Sequence, residues 1–178
     1  MRGVQKLSLL LPPGRSIGSY LPSCALVAMT GPGLRPTAVL FACSMNAVRS
    51  PMAEALAKQL FPNQIYVRSA GVRPGKIDPF VDAVMAEIGI DMSQHQPKTF
   101  DDLDESGFDL VLTLAPEAHH KALELTRTDA VEVEYWPTMD PTVATGSREQ
   151  ILNEYRAVRD QLSMRIKKRL DWAPPPGD

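Results

Sequence analysis

Thr37-Ala-Val-Leu-Phe-Ala-Cys-Ser-Met-Asn-Ala-Val-Arg-Ser-Pro-Met-Ala-Glu54 decides the reading of this chain, because a buried strand gives way to a helix within it. Ala38-Val39-Leu40-Phe41-Ala42 is a continuous apolar run of the kind carried by a strand buried on both faces, as in a parallel sheet. Ser50-Pro51 then predicts a helix start, with Ser as N-cap and Pro at the first helical position. Between them lies the segment Cys43 to Arg49, whose backbone amides can curl inward and meet the positive end of the helix dipole. Such a loop is an anion site.

A thiol at the first position of that loop, beside an Arg and a helix N-terminus, is expected to act as a thiolate nucleophile near neutral pH. Arg49 offers a planar fork that holds two oxygens of a phosphate-like anion and tightens as negative charge spreads over them in the transition state. Ser50 can donate to the sulfur as well as cap the helix. The implied reaction is attack of sulfur on phosphorus. A Cys followed six places later by an Arg is a weak pattern alone, and a buried Cys beside a solvated Arg is its structural alternative. The strand ending at Ala42 and the Ser-Pro helix start decide for the anion loop.

Working outward, 178 residues with 44% hydrophobic and 22% charged content suit one α/β domain with a sizeable core. A net charge of −2 gives no electrostatic case for nucleic acid. No apolar run approaches the ~20 residues of a membrane span, so neither nucleic acid nor membrane is expected as a partner. Two cysteines cannot form a disulfide framework, which favours a reducing, cytoplasmic setting. Residues 1–36 carry several prolines, Arg2, Lys6, Arg15 and Arg35, and no acidic residue. They are expected to form a disordered extension holding an inert Cys24. The run Leu7-Ser-Leu-Leu-Leu11 is cut by Pro12-Pro13 and is too short for a secretory core. The acidic-poor composition leaves an organelle transit peptide as a minor alternative. The domain is placed at residues 37–172, with a disordered tail at 173–178.

Beyond the first helix, Ile65 to Gly71 predicts a second strand and Asp78-Pro79 opens a second helix ending near Gly89. Asp109 to Leu114 predicts a third buried strand, followed by a helix from Ala115-Pro116-Glu117 to about Leu125. Val131 to Trp136 alternates more and predicts a strand nearer an edge. Ser147-Arg-Glu-Gln150 is a capping box, and Ile151, Tyr155, Val158, Leu162, Ile166 and Leu170 keep one stripe of the last helix apolar. Four strands alternating with helices predict a parallel sheet covered on both faces, with the site beyond the carboxyl ends of its strands.

A Cys nucleophile on a phosphate ester needs an acid on the same rim to protonate the leaving group. Asp78-Pro79 is explained by helix capping. Asp140-Pro141 follows the fourth strand in a loop with no helix immediately behind it, and Asp140 is therefore the expected acid. His119 and His120 fall on the third helix among Glu and Lys and are expected on a solvated face. They lack the partners of a metal site. His95 follows the second helix, and the pattern leaves it open between a buried hydrogen-bonding residue near the rim and an exposed one.

From Thr37 to Leu170 the chain resembles the low-molecular-weight protein-tyrosine-phosphatase family, which also includes thioredoxin-coupled arsenate reductases. The residues that carry the resemblance are Cys43 to Glu54, Ser69-Ala-Gly71, Gly89-Ile-Asp-Met-Ser-Gln-His95, Asp109 to Leu114 and Asp140-Pro141, in that order. The resemblance implies a three-layer α/β sandwich with a four-stranded parallel sheet in the order 2-1-3-4, flavodoxin-like. It implies Cys43 as nucleophile through a phosphocysteine, Arg49 as phosphate clamp and Asp140 as acid and then base. It further implies that Ser44, Met45, Asn46, Ala47, Val48 and Ser50 surround the anion, that Ser50 bonds the thiolate, and that Ser69 and His95 hold Asn46. No metal or organic cofactor is implied.

Three departures bear on function. Met45 stands where family loops commonly carry Gly. Val72-Arg73-Pro74 and Thr142-Val143 stand where the eukaryotic members carry aromatic walls. Ala115 occupies roughly the place of a resolving cysteine in the arsenate reductases, although Arg156-Ala-Val-Arg159 on the long last helix looks more like that branch. The expected function is hydrolysis of phosphomonoesters, with a phosphotyrosine protein or a small aryl phosphate as substrate. The alternatives are an arsenate reductase using an external thiol and a phosphate-binding module whose catalysis has lapsed.

Overall fold

The computed structural model describes residues 35–103, 107–127 and 129–171. The expectations for the N-terminal extension up to residue 34 with Cys24, and for the tail from Trp172, lie outside the described residues. Four parallel strands form one sheet in the order β2-β1-β3-β4, as the resemblance implied. They are β1 (Ala38–Cys43), β2 (Tyr66–Gly71), β3 (Leu110–Thr113) and β4 (Glu132–Tyr135). Between them run α1 (Arg49–Leu60), α2 (Pro79–Ala86) and α3 (Pro116–Leu125), and α4 (Arg148–Leu170) closes the domain.

β1 lies in the middle of the sheet and pairs with β2 and β3. Its side chains alternate between two cores. Val39, Phe41 and Cys43 face a large cluster with Met52 and Leu56 of α1, Val84 and Met85 of α2, and Tyr155, Leu162 and Ile166 of α4. Leu40 and Ala42 face a smaller cluster with Ala118 and Ala122 of α3. The apolar run is continuous because both faces are covered, which is why period-two alternation is missing from it. β4, at the edge, has exposed Glu132 and Tyr135 at its ends.

Helix starts follow the sequence expectation with one exception, and α3, which has no side-chain cap at Ala115, still starts on Pro116. Asp78 caps α2 by accepting from the Phe80 amide, with Pro79 at the first position. Ser147 and Gln150 form the expected capping box of α4. α2 stops at Ala86, short of the predicted end, and Gly89 takes φ +76 in the turn that lets the Ile90 amide reach the Met85 carbonyl. The exception is α1. It begins at Arg49 with Val48 at the cap position and no side-chain cap, so Ser50 is inside the helix and does not cap it.

Register brings the strand ends level: Cys43 pairs with Gly71, and Ala42 with Thr113, which pairs with Tyr135. The chain keeps pairing past β4. The Trp136 amide bonds the Thr113 carbonyl and the Thr138 amide the Leu114 carbonyl, carrying Thr138 to Asp140 back over the centre of the sheet. On the other side Gly71 lets β2 end against the loop after Cys43. A Cβ there would lie 2.7 Å from both the Asn46 amide nitrogen and the Met45 carbonyl carbon. Those are backbone atoms that cannot swing aside. Gly71→Ala is expected to cost about 1–3 kcal/mol and to weaken vanadate binding, read by thermal denaturation and by titration of the folded protein.

Candidate functional site

The loop between β1 and α1 is held from inside by Asn46. This residue is buried and sits at φ +50, a left-handed conformation uncommon outside glycine but easiest for Asn and Asp. Its amide nitrogen donates to Ser50 Oγ at 2.9 Å and to Ser69 Oγ at 2.8 Å. Its carbonyl oxygen accepts from the Lys98 amide at 2.9 Å and lies 3.3 Å from His95 Nε2. Both donors and both acceptor sites of the side chain are thus used. The amides of Met45 to Arg49 donate to no protein acceptor among the described residues. That set of unspent donors at a helix N-terminus is suited to an oxyanion.

Cys43, buried at the end of β1, has its Sγ 2.9 Å from Ser50 Oγ. Ser50 Oγ also lies 3.3 Å from the Ala70 carbonyl, so its single proton can turn from that carbonyl to the sulfur when the thiol ionises. The need to meet the sulfur and Asn46 from inside the first helical turn explains why Ser50 does not serve as the cap. Arg49 is buried. Its Nη1 donates to the Thr138 carbonyl at 3.1 Å, and its Nη2 to Asp140 Oδ2 at 2.9 Å and Ser44 Oγ at 3.4 Å.

The remaining loop residues divide by direction. Met45 is 46% exposed and Ala47 half-buried, while Val48 packs into the core. Met45 has no positive φ, so glycine is not demanded at that position. The close fit falls on Gly75 instead, where a Cβ would lie 2.3 Å from the Met45 carbonyl oxygen.

The two Asp-Pro pairs take different roles in the architecture. Asp78 accepts from Phe80 N and from the Tyr155 hydroxyl, and its own amide donates to the Ala47 carbonyl. It ties α2 and α4 to the loop. Burial, and then the Asp78 charge and hydrogen bond, hold the Tyr155 phenol well above its ordinary pKa. Asp140 instead faces Arg49. It also caps a short 3-10 turn, Pro141–Val143, through Thr142 N at 3.1 Å and Thr142 Oγ1 at 2.8 Å on Oδ1. A helical turn therefore does follow Asp140 at once, contrary to the expected open loop.

His119 also departs from expectation. It is half-buried, with Nδ1 3.0 Å from Thr113 Oγ1 and its ring stacked on Tyr135, because the first turn of α3 leans over the end of β3. His120 is exposed. Among the described residues no three His, Cys, Asp or Glu side chains converge as metal ligands would, and no helix is long and apolar enough to cross a membrane.

Sequence reasoning missed Glu54. It is buried, accepts from Ser69 Oγ and from Lys58, and its Oε2 lies 3.9 Å from His95 Nδ1. Its signal was a charged residue on the buried face of α1, between Ala53 and Ala57. The Lys98 amide and the Thr138 carbonyl carried no signal, since backbone groups are the same in every residue.

A model of low molecular weight phosphotyrosine protein phosphatases matches residues 38–171. The chain belongs to that family. Its similar proteins include an arsenate reductase of Bacillus subtilis, 34% identical over 130 residues covering 73% of this chain and 92% of the relative. A low molecular weight protein tyrosine phosphatase from T. tengcongensis has a similar structure: TM-score 0.64, 26% identity, covering 76% of this chain and 98% of that one. An arsenate reductase from Archaeoglobus fulgidus gives TM-score 0.59 at 26% identity over 75% and 99%. This family member is thus similar to both kinds of enzyme. It has Cys43 as the only cysteine among the described residues, and buried Ala115 at the N-cap of α3.

Burial lowers the pKa of His95 below its ordinary value, and the Glu54 charge only partly opposes this. The unfolded chain therefore takes up a proton at His95 at higher pH than the folded protein does. Stability is full above about pH 6.5 and falls as pH drops from there toward the lowered folded value. Thermal denaturation between pH 7.5 and 5.5 should show Tm falling with pH, and His95→Gln should flatten that slope relative to the parent.

Proposed function

We propose that this protein is a phosphomonoester hydrolase that acts on phosphotyrosine in proteins or on small aryl phosphates through a phosphocysteine. The observation that supports this most is that Cys43, Arg49 and Asp140 converge on one loop whose amides are unspent. The phosphate lies in the loop, and its oxygens take over the Arg49 guanidinium that pairs with Asp140 in the free protein. Thr142 donates two hydrogen bonds to Asp140 Oδ1, which leaves Oδ2 as the oxygen that carries a proton.

In the first step Cys43 Sγ attacks phosphorus, the S–P bond forms and the ester P–O bond breaks, and Asp140 gives its proton to the leaving oxygen. Ser50 donates to the sulfur and so stabilises the thiolate both as nucleophile and, in the second step, as leaving group. In the second step a water attacks phosphorus, Asp140 takes its proton, and the S–P bond breaks to return the thiolate and free phosphate. Arg49 and the loop amides hold the equatorial oxygens through both steps.

The relatives named arsenate reductase favour a second reading. Arsenate would bind the same loop, and with Ala115 in place of a thiol an external dithiol or two small thiols would supply both electrons. Cys43 Sγ would first displace one arsenate oxygen as water to form an S–As bond, one thiol would then attack Sγ so that arsenic leaves with the bond's electron pair as arsenite, and the second would free Cys43 from the mixed disulfide. Arsenate-dependent oxidation of glutathione, mycothiol or thioredoxin measures this. If none is oxidised while phosphate esters are cleaved, the reductase reading falls.

Reduced, folded protein should release p-nitrophenol from its phosphate between pH 5 and 7, with vanadate as inhibitor, and no turnover would overturn the hydrolase reading. Cys43→Ser should abolish turnover yet still bind phosphate or vanadate, since a Ser hydroxyl keeps its proton here. Asp140→Asn should lower kcat by roughly 10²–10⁴-fold for phenyl phosphate and by less for p-nitrophenyl phosphate, whose leaving group needs less protonation. A larger loss from Asp78→Asn than from Asp140→Asn would mean that the acid is misassigned.

A further inference from the structure

The loop after β4 and the first turns of α4 line an open cavity of about 370 Å³ beside Asp140, with Glu154 exposed on its α4 side. Met139, which precedes Asp140, and Val143, three residues after it, also line it and are 70% and 73% exposed. From α4 come Gln150, Asn153 and Glu154. The first two have spent oxygens, since Gln150 Oε1 accepts from the Ser147 amide and Asn153 Oδ1 from Arg156. The nearby carboxylates of Asp140 and Glu149 are neutralised by Arg49 and Arg156. Glu154 has no hydrogen-bond or ion-pair partner among the described residues. No Lys or Arg lines the cavity, so the charge left uncompensated in it is the Glu154 carboxylate.

We propose that this cavity is a substrate subsite for a basic side chain adjacent to the phosphorylated residue of a peptide. An aliphatic edge with a carboxylate behind it matches a Lys or Arg, whose methylene stem lies along Met139 and Val143 while its cation meets Glu154. The inference rests on the hydrolase reading, which fixes the phosphate on Cys43. The cavity shares Asp140 with that site. Asp140 is thus a wall common to both, and the long side chain of a Lys or Arg neighbouring the phosphorylated residue is the kind that can extend past it to Glu154. The aromatic walls absent at Val72 to Pro74 and at Thr142-Val143 leave a phenyl ring weakly held, and a charge contact one residue away supplies selectivity that stacking does not.

The test measures kcat/KM of the full chain on phosphotyrosyl peptides that differ only in carrying Lys, Gln or Glu on either side of the phosphotyrosine, with p-nitrophenyl phosphate in parallel. Lys peptides should exceed Glu peptides by roughly three- to tenfold at low salt, the range expected of a solvent-accessible charge contact, and the ratio should shrink as salt rises. Glu154→Gln should remove the preference, Glu154→Lys should invert it, and Glu154→Asp should keep its sign. A ratio of two peptides on one preparation is not moved by partial unfolding of a variant. Cleavage of the esters with no preference, or with a preference that survives both Glu154→Gln and Glu154→Lys, overturns this subsite and leaves the hydrolase reading intact. Failure to cleave any ester overturns both.

Discussion

The site depends on Asn46 holding a left-handed turn inside a buried pocket. A single non-glycine residue at φ +50 stores backbone strain, and the four hydrogen bonds to Ser50, Ser69, Lys98 and His95 offset it. Those partners come from α1, β2 and the segment after α2, so the loop cannot relax without disturbing three parts of the fold. Fixing Asn46 also fixes its neighbours, whose amides are left without protein acceptors. The electrostatic field at Cys43 is therefore a property of packing and precedes any substrate. Glu54 and His95 continue the network away from the mouth, where a carboxylate at the back of the pocket orients Ser69 without facing the anion.

Arg49 and Asp140 add a competition to that rigid frame. In the free protein each neutralises the other, which spares the fold an unpaired buried guanidinium. A phosphate dianion is a stronger partner for the fork than one carboxylate oxygen, so on the proposed reading its binding would displace Asp140 from Arg49. Thr142 keeps hold of Oδ1 throughout. On the proposed hydrolase reading Asp140 is released when an acid is needed, and its reorientation is limited by the short turn it caps.

What the sequence made legible follows from how local each determinant is. The Ala38 to Cys43 strand, the Asp78 cap and the Ser147–Gln150 box are decided by neighbouring residues, and all three stand in the structure. The family resemblance supplied the sheet order, which local pattern could not. Ser50 was misread because its cap signal is local while its partners Asn46, Cys43 and Ala70 are tertiary. His119 was misread in the same way, since a polar neighbourhood in sequence hid a ring that folds onto Thr113 and Tyr135. The arrival of Asp140 at Arg49 depends on backbone pairing of Trp136 and Thr138 with β3, and no side-chain pattern records that.

The departures from the family pattern separate chemistry from recognition. Met45 is accommodated because its side chain points outward and Gly75 supplies the close approach on its backbone, so the loop keeps its shape. Val143 is exposed beside Asp140, while Ala115 is buried in the smaller core cluster with Val72 packed against it. With Cys43, Arg49 and Asp140 in the roles proposed for them, the frame itself does not discriminate between phosphorus and arsenic at its centre. What distinguishes the two proposed reactions is the next attack on the Cys43 adduct, by water on phosphorus or by a thiol on the Cys43 sulfur. Within the described residues Asp140 is in reach of Arg49 and no second thiol exists. Among the described residues, then, Asp140 stands ready for a water and no thiol besides Cys43 is present to resolve an adduct, which is why the hydrolase reading is the one proposed.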